Sequence, residues 1–476
     1  MKKLNNDFDI LNYLLELNNK GVFLEYKENK LIYKARNISL DSDIIIELRE
    51  FKHKIISFLK NYEEKIVDLS YMQKAYLMGK EEGIPLNNVN ATYYQEFEKD
   101  NIDISKLESA INWIINNNEA LRLVIFKEGK GIICEDLPPF CITSYCKEEE
   151  RLYHREFLSH KIYEYGTWPM FDIFVGKFKK GKDILHFTFD CSIIDAWSAN
   201  VLIKKMFEKY SGENIVSSNY SYRTYLKDFK KYLAENSKLL SEADKYWTSK
   251  CEHIFASPHL KTEQEINSVK KSTFRTKSYK FTEDMTLSIE RIAIYNQISV
   301  SSLLIAIYMS VLSKYSINKE FSINATIFGK NIFSKDVIDL IGEFSNIALI
   351  EYKPSKKNII ESAQDVQNQL LQALNYRLYN GVNIIRKSRN SNMCYPVVVT
   401  SMLGVDYKST YKGFTEVFSI SQTPQVILDH HIRKIDGSLV ISFDYIEELF
   451  KEEQIDNILD YYVDLIKLLI GETHHE

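Results

Sequence analysis

Cysteine is scarce in this chain and shows no pattern. The six residues Cys134, Cys141, Cys146, Cys191, Cys251 and Cys394 show no C-x-x-C spacing. With no secretory leader at the N-terminus, they are expected to be reduced thiols in a cytoplasmic protein. The sequon at Asn90, Ala91 and Thr92 is then idle. A long apolar run is also lacking, so no membrane is expected as a partner. There is no excess of basic charge: the net charge is −4, which argues against a nucleic-acid platform. No simple short repeat is visible. What is present is 476 residues, 45% hydrophobic and 26% charged. That is room for a large core spread over about three domains of ordinary size.

One near-motif is set aside. Gly176, Gly181, Lys182 and Asp183 almost fit the phosphate-binding pattern G-x-x-x-x-G-K-[ST]. Asp183 supplies no hydroxyl for magnesium and adds negative charge where phosphate would sit. The flanks Phe171–Val175 and Ile184–Thr188 read as two strands joined by a hairpin turn.

Residues 1–60 form a small unit. Ile10, Leu11, Leu14, Leu15 and Leu17 predict a helix ending at Lys20 and Gly21. Two short strands, 22–26 and 31–33, predict a hairpin. A last helix is expected from Ser42 or Asp43, carrying Ile46, Leu48, Phe51, Ile55, Phe58 and Leu59. Residues 61–66 read as a linker. Two α/β halves follow, 67–240 and 241–476, with the crossing marked by charged helical sequence after Tyr220.

The centre of the chain is the stretch Phe189–Ser198. A buried strand, Ile184–Phe189, hands over to a helix from Ala196 to Tyr210 that carries Trp197, Val201, Leu202, Met206 and Phe207 on one side. Asp190 and Asp195 flank the junction. Carboxylates at such a turn are open to three readings: catalysis, pairing with a base, or capping of the helix.

D-x-x-x-x-D followed by Ala196, Trp197 and Ser198 resembles the signature of heterocyclization domains of nonribosomal peptide synthetases, relatives of condensation domains. Other stretches carry the same resemblance. Gln73, Ala75, Tyr76, Gly79 and Lys80 match Q-x-A-Y-x-x-G-R with Lys80 for Arg. Tyr165–Phe171 also resembles the family. Gly342, Glu343, Phe344 and Ser345 resemble G-D-F-T, and Gln367, Gln369, Tyr379, Gly381, Arg386 and Arg389 continue the match. The most specific string is Ser421, Gln422, Thr423, Pro424, Gln425, Val426, Leu428, Asp429, His430 and His431, against S-Q-T-P-Q-V-x-L-D-H-Q. The departures are Asn117 and Asn118 where the family has Arg-His, Gly329 and Lys330 where it has Asn-Arg, and His431 for Gln.

The resemblance implies two chloramphenicol-acetyltransferase-like α/β lobes in a V with a central tunnel. Residues 1–60 resemble the TubC-type docking domain, a small α+β unit whose hairpin takes the C-terminal tail of an upstream synthetase subunit as an added strand. The implied activity joins an upstream acyl or peptidyl thioester to the amine of a carrier-bound cysteine, serine or threonine. The product then closes to a thiazoline or oxazoline. Asp429 and Thr400 are implied as the cyclodehydration residues, since a carboxylate in a closed tunnel can accept one proton and return another, with Thr400 expected to hold that carboxylate or the departing oxygen by hydrogen bond. Gln422, Gln425 and Ser401 are expected to position substrate. Asp190, Asp195 and Lys330 are expected as a structural set, with Lys330 the base that pairs Asp195. His430 and His431 are discounted as acid/base groups because position 434 is Lys and not Asp, and no metal site is expected. His474 and His475 read as tail. The chain shows no adenylation motif and no Ser-bearing carrier motif. The phosphopantetheine arms that present the substrates therefore belong to upstream and downstream peptidyl carrier partners, and no cofactor is expected on this chain. The rival readings are condensation without cyclization, or a noncatalytic docking scaffold.

Overall fold

The computed structural model describes residues 3–35, 41–217, 220–330, 337–354, 358–388, 395–405 and 407–473. Cys394, Arg389, His474 and His475 lie outside them. The α/β class expected from the sequence is observed. Two mixed six-stranded sheets dominate. The first runs Thr410–Tyr411, Phe414–Gln422, Thr92–Lys99, Asp183–Asp190, Phe171–Gly176, Thr143–Tyr145. The second runs Phe274–Lys280, Ser438–Ile446, Leu428–Ile435, Val397–Ser401, Phe321–Phe328, Ser345–Tyr352.

The halves are not separate in sequence. Strand Phe414–Gln422 leaves the second half and pairs antiparallel with Thr92–Lys99 in the first sheet. The chain then returns to the second sheet within a few residues, at Leu428. This crossing places the Ser421–His431 string at the seam between the sheets.

Phe171–Gly176 and Asp183–Asp190 form the expected antiparallel hairpin. Its turn uses Gly181 at φ +85°, a conformation that glycine adopts without a Cβ penalty. Every residue of Asp183–Asp190 is buried, as a central strand covered on both faces requires.

The N-terminal unit has the expected helix, Asp7–Asn19, and a hairpin of Val22–Lys27 with Lys30–Ala35. The hairpin turn has Glu28 and Asn29 at φ 51° and 62°. The last helix is broken in two, Ser42–Glu50 and Lys52–Lys60, because Phe51 turns inward at φ −92°, ψ 5° and is buried. Residues 61–66, expected as a linker, form a helical turn, Tyr62–Lys65, and begin strand Ile66–Asp68, which pairs with Lys130–Ile133. The unit shares a core with the main body: Ile10, Leu14, Phe51 and Phe58 pack in one cluster with Val124, Ile132 and Cys134. Asp7 fixes the join. Its carboxylate accepts the Lys65 ammonium and the Glu135 N–H, the latter at 2.9 Å.

Among the described residues, no single helix is long and apolar enough to cross a membrane.

Candidate functional site

A cavity lies between the two sheets, walled by residues of both. Asp195, Ala199, Tyr93 and Gln95 come from the first half. Thr326, Thr400, Asp429, His431, Arg433 and Asp444 come from the second.

The junction acids are structural in their contacts. Asp195 is the N-cap of helix Ala196–Tyr210 and accepts the Ser198 N–H at 2.7 Å. Its other oxygen accepts the Phe344 N–H at 3.0 Å. Asp195 N–H in turn donates to the Gly342 carbonyl at 3.0 Å. The second half thus supplies Asp195 with a backbone donor and not with a lysine. Lys330, expected as that partner, donates instead to the Leu340 carbonyl at 2.7 Å. Burial pulls the Lys330 ammonium down to about 8, with Asp195 and Asp339 working against it.

The acid that holds an ion pair is Asp190. Lys80, which stands for Arg in the opening motif, places Nζ 3.2 Å from Asp190 Oδ2. Asn90 and the Ser192 N–H complete its partners at 2.7 and 2.8 Å. The same opening motif fixes the seam. Gln73 donates to the Ser192 carbonyl at 2.6 Å. A Cβ on Gly79 would sit 2.6 Å from the Pro424 Cβ, so only glycine allows this approach to the late string.

Glu343 lies beside this junction. It accepts the Ser70 hydroxyl at 2.7 Å and both the N–H and hydroxyl of Ser345. Burial pushes its carboxyl up to about 7, and Asp195 adds to the rise while Ser345 and Ser70 oppose it. The departures at Asn117 and Asn118 are local: each side-chain amide returns to its own helix, at the Trp113 and Ile114 carbonyls.

The late residues divide into two sets. Asp429 and Thr400 reach the cavity wall. Thr400 does not hold Asp429, however; its hydroxyl donates to the Thr326 hydroxyl at 3.0 Å on the neighbouring strand. Ser401, Gln422 and Gln425 are not on the wall. Strand alternation turns Ser401 to the opposite face, where its hydroxyl meets that of Ser301 at 2.7 Å. Gln422 donates to the Ser159 carbonyl at 2.6 Å and ties the crossing strand to the first half. Gln425 is a turn residue at φ +66°.

Asp429 belongs to a cluster that the sequence reading did not assemble. Asp429 and Asp444 stand directly opposite each other on adjacent antiparallel strands. His431 Nε2 lies 3.4 Å from Asp429 Oδ2 and 3.2 Å from Asp444 Oδ2. The Ser421 hydroxyl touches all three, at 2.9 Å to His431, 3.0 Å to Asp444 and 3.5 Å to Asp429. Asp429 Oδ1 is buried with no hydrogen-bond partner among the described residues. Burial raises the Asp429 carboxyl; His431 and Ser421 draw it down and Asp444 pushes it up. His431 feels burial in the opposite sense, but Asp429 and Asp444 outweigh it and raise its pKa. His430 is different. It faces the core, against Tyr462 and the Ser442 carbonyl, and burial lowers it to about 3.

A signal for the cluster existed. Asp429, His431 and Arg433 alternate along one strand, and three charged or titratable groups at period two share one face. Asp444 interrupts an otherwise mostly apolar strand, Ser438–Ile446.

Fold and site together define a two-sheet α/β protein with buried carboxylates on the wall of a cavity between its halves. Residues 63–476 match the condensation domain family, and the chain belongs to that family. Among curated relatives it is 28% identical over 433 residues to bacitracin synthase 1 of Bacillus licheniformis, covering 86% of this chain and 8% of that one. It is 25% identical over 416 residues to phenyloxazoline synthase MbtB of Mycolicibacterium paratuberculosis, covering 83% and 35%. The chain thus spans about a third of the length of these relatives or less. Among solved structures, the cyclization-docking bidomain of the nonribosomal peptide synthetase EpoB from Sorangium cellulosum superposes with a TM-score of 0.78 at 20% identity. That match covers 97% of this chain and 98% of the other, and so extends into the N-terminal unit.

Proposed function

We propose that this chain is a heterocyclization domain with an N-terminal docking unit, acting in the cytoplasm. It joins an upstream acyl or peptidyl thioester to the amine of a carrier-bound cysteine, serine or threonine. It then closes the side chain onto the new amide and expels water, giving a thiazoline or oxazoline. The observation that carries this reading is Asp429: a buried carboxyl on the cavity wall, raised by burial, with one oxygen unpartnered among the described residues. A relative named for phenyloxazoline synthesis and a structural neighbour named for cyclization and docking support it.

The two steps ask different things of the protein. Amide formation needs an amine placed against a thioester, and placement supplies much of that barrier. Ring closure adds the thiol or hydroxyl to the amide carbonyl. The resulting hemiaminal then loses its N–H proton as the C=N bond forms, and the C–O bond breaks. Asp429 takes that proton and returns one to the departing hydroxide, so the carboxylate is regenerated and one water leaves. Thr400 presents its hydroxyl oxygen from the neighbouring strand to the same reacting atoms.

Both substrates arrive on the phosphopantetheine arms of upstream and downstream carrier proteins. The outer strand of the hairpin, Lys30–Ala35, is mostly exposed, with Tyr33 at 55%. It pairs with Val22–Lys27 alone among the described strands. That edge would take the tail of an upstream subunit as a third strand. The test is mass spectrometry of the product from loaded carriers, with cysteine, serine and threonine compared. A product lighter by one water than the linear amide supports ring closure. A linear amide from all three would reduce the activity to condensation.

A further inference from the structure

We propose, on the ring-closing reading above, that His431 and Asp444 are positioning residues that set the proton affinity of Asp429: His431 as a cation clamped between two carboxylates, and Asp444 as the anion that keeps it charged.

The geometry carries this. Two carboxylates directly opposite each other in a buried site cannot both ionise without a compensating charge. His431 Nε2 lies within 3.4 Å of both Asp429 Oδ2 and Asp444 Oδ2. Asp444 is the better held of the two acids, since it also accepts the Ser421 N–H at 2.7 Å and the Ser421 hydroxyl at 3.0 Å. Both acids leave Oδ1 without a hydrogen-bond partner among the described residues, so what separates them is the tether of Asp444 Oδ2 to Ser421. The arrangement therefore ties Asp444 to the Ser421 backbone and hydroxyl, holds the imidazole against it, and leaves Asp429, the less tethered acid, as the member that exchanges protons.

The other charged and polar neighbours do not replace this role. Arg433, next on the same face, spends its guanidinium on Glu416 at 3.0 Å and Ser419 at 3.1 Å, and Gln95 covers the second Glu416 oxygen. Its positive charge opposes protonation of His431. On the other flank Thr400 is bonded to Thr326. Across the cavity Cys191 has its thiol pushed well up by burial and by nearby acids, so it contributes no charge. Below the sheet, Tyr308 is likewise kept neutral by burial.

In the reaction His431 keeps its own proton. The N–H proton lost as the C=N bond forms passes to Asp429, and Asp429 supplies the proton that leaves with hydroxide. The imidazolium holds Asp429 in the carboxylate form before that exchange. His431 stands where the resembling motif has Gln. A glutamine preserves hydrogen bonding but carries no charge, so the ionisation of Asp429 would differ between the two.

The experiment has two arms. The first is the pH profile of ring formation, scored by mass spectrometry against linear amide from the same reaction. His431→Gln should move the acidic limb up by on the order of one pH unit. The second arm is an NMR titration of the His431 imidazole in the folded full-length chain. Its midpoint should lie above that of an unperturbed histidine and should fall in Asp444→Asn. Ring formation that needs Asp429 but shows an unmoved acidic limb in His431→Gln would overturn the proposal. So would a His431 midpoint at or below the ordinary value. If the parent makes no ring at all, the ring-closing reading fails, and the NMR arm alone decides whether the clamp exists.

Discussion

The Asp195 carboxylate reaches across the molecule to the Phe344 N–H, 3.0 Å away, while its other oxygen caps the helix that starts at Ala196. One side chain thus satisfies two buried backbone donors, one in each half. Asp195→Ala removes a helix cap, costing about 0.5–2 kcal/mol, and strands the Phe344 N–H, costing about 1–3 kcal/mol. Urea unfolding should therefore show a clear loss of stability, with Asp195→Asn intermediate. Unchanged stability with lost product would move Asp195 from structure to chemistry.

Lys80 is the counter-charge of Asp190. Its side chain is 9% exposed and that of Asp190 fully buried. Lys80→Met leaves a buried carboxylate with hydrogen bonds but no cation, a loss on the order of 3–5 kcal/mol. Lys80→Arg restores the residue usual in the resembling motif and should retain most of the stability. Equal melting of parent and Lys80→Met would show the pair to be dispensable.

Glu343 gives the fold a pH dependence. Its carboxyl rises from 4.5 to about 7 on folding. Between those values the folded chain holds a proton that the unfolded chain has released. Stability from this group is complete below about pH 4.5, falls as pH rises through the window, and is lost above about pH 7. Unfolding at pH 5 and pH 7.5 should therefore show a smaller drop for Glu343→Gln than for the parent. Equal drops would contradict the assignment.

The N-terminal unit, proposed above as a docking element, also shares its core with the main body. Removing residues 1–60 uncovers Val124, Ile132 and Cys134, so the truncated chain should melt earlier. Docking is separable from this by changing the exposed edge alone. Tyr33→Asp should leave melting unchanged. It should weaken turnover with the natural upstream subunit at low concentration, and much less when carriers are abundant, because docking acts through effective concentration. An edge variant that loses nothing at low concentration would count against strand addition.

Local pattern made much of this legible. The strand–acid–helix junction at Asp190 and Asp195, the hairpin at Gly181 and the N-terminal hairpin follow from hydrophobic periodicity and turn chemistry. The broken helix at Phe51 was missed because its apolar spacing continues across the break. The partners of Asp195 and Thr400 were missed for another reason. Lys330 and Phe344 are both far from Asp195 in sequence, and only the packed loop decides that the backbone N–H arrives. Ser401 and Thr400 are neighbours in sequence but face opposite sides of a strand. The His431 clamp needs Asp444, which lies outside the Ser421–His431 string and meets Asp429 only through the register of the two antiparallel strands.

The most direct test of the account separates the two chemical steps in one variant. Asp429→Asn keeps the shape of the side chain but cannot carry a proton. With loaded carriers under single-turnover conditions, it should form the linear amide at close to the parent rate and accumulate it, heavier by one water. Ring formation should fall by roughly 100- to 10,000-fold, the usual contribution of a general acid/base group. Ring formation at the parent rate in Asp429→Asn, or equal collapse of both steps in a variant that melts like the parent, would contradict it.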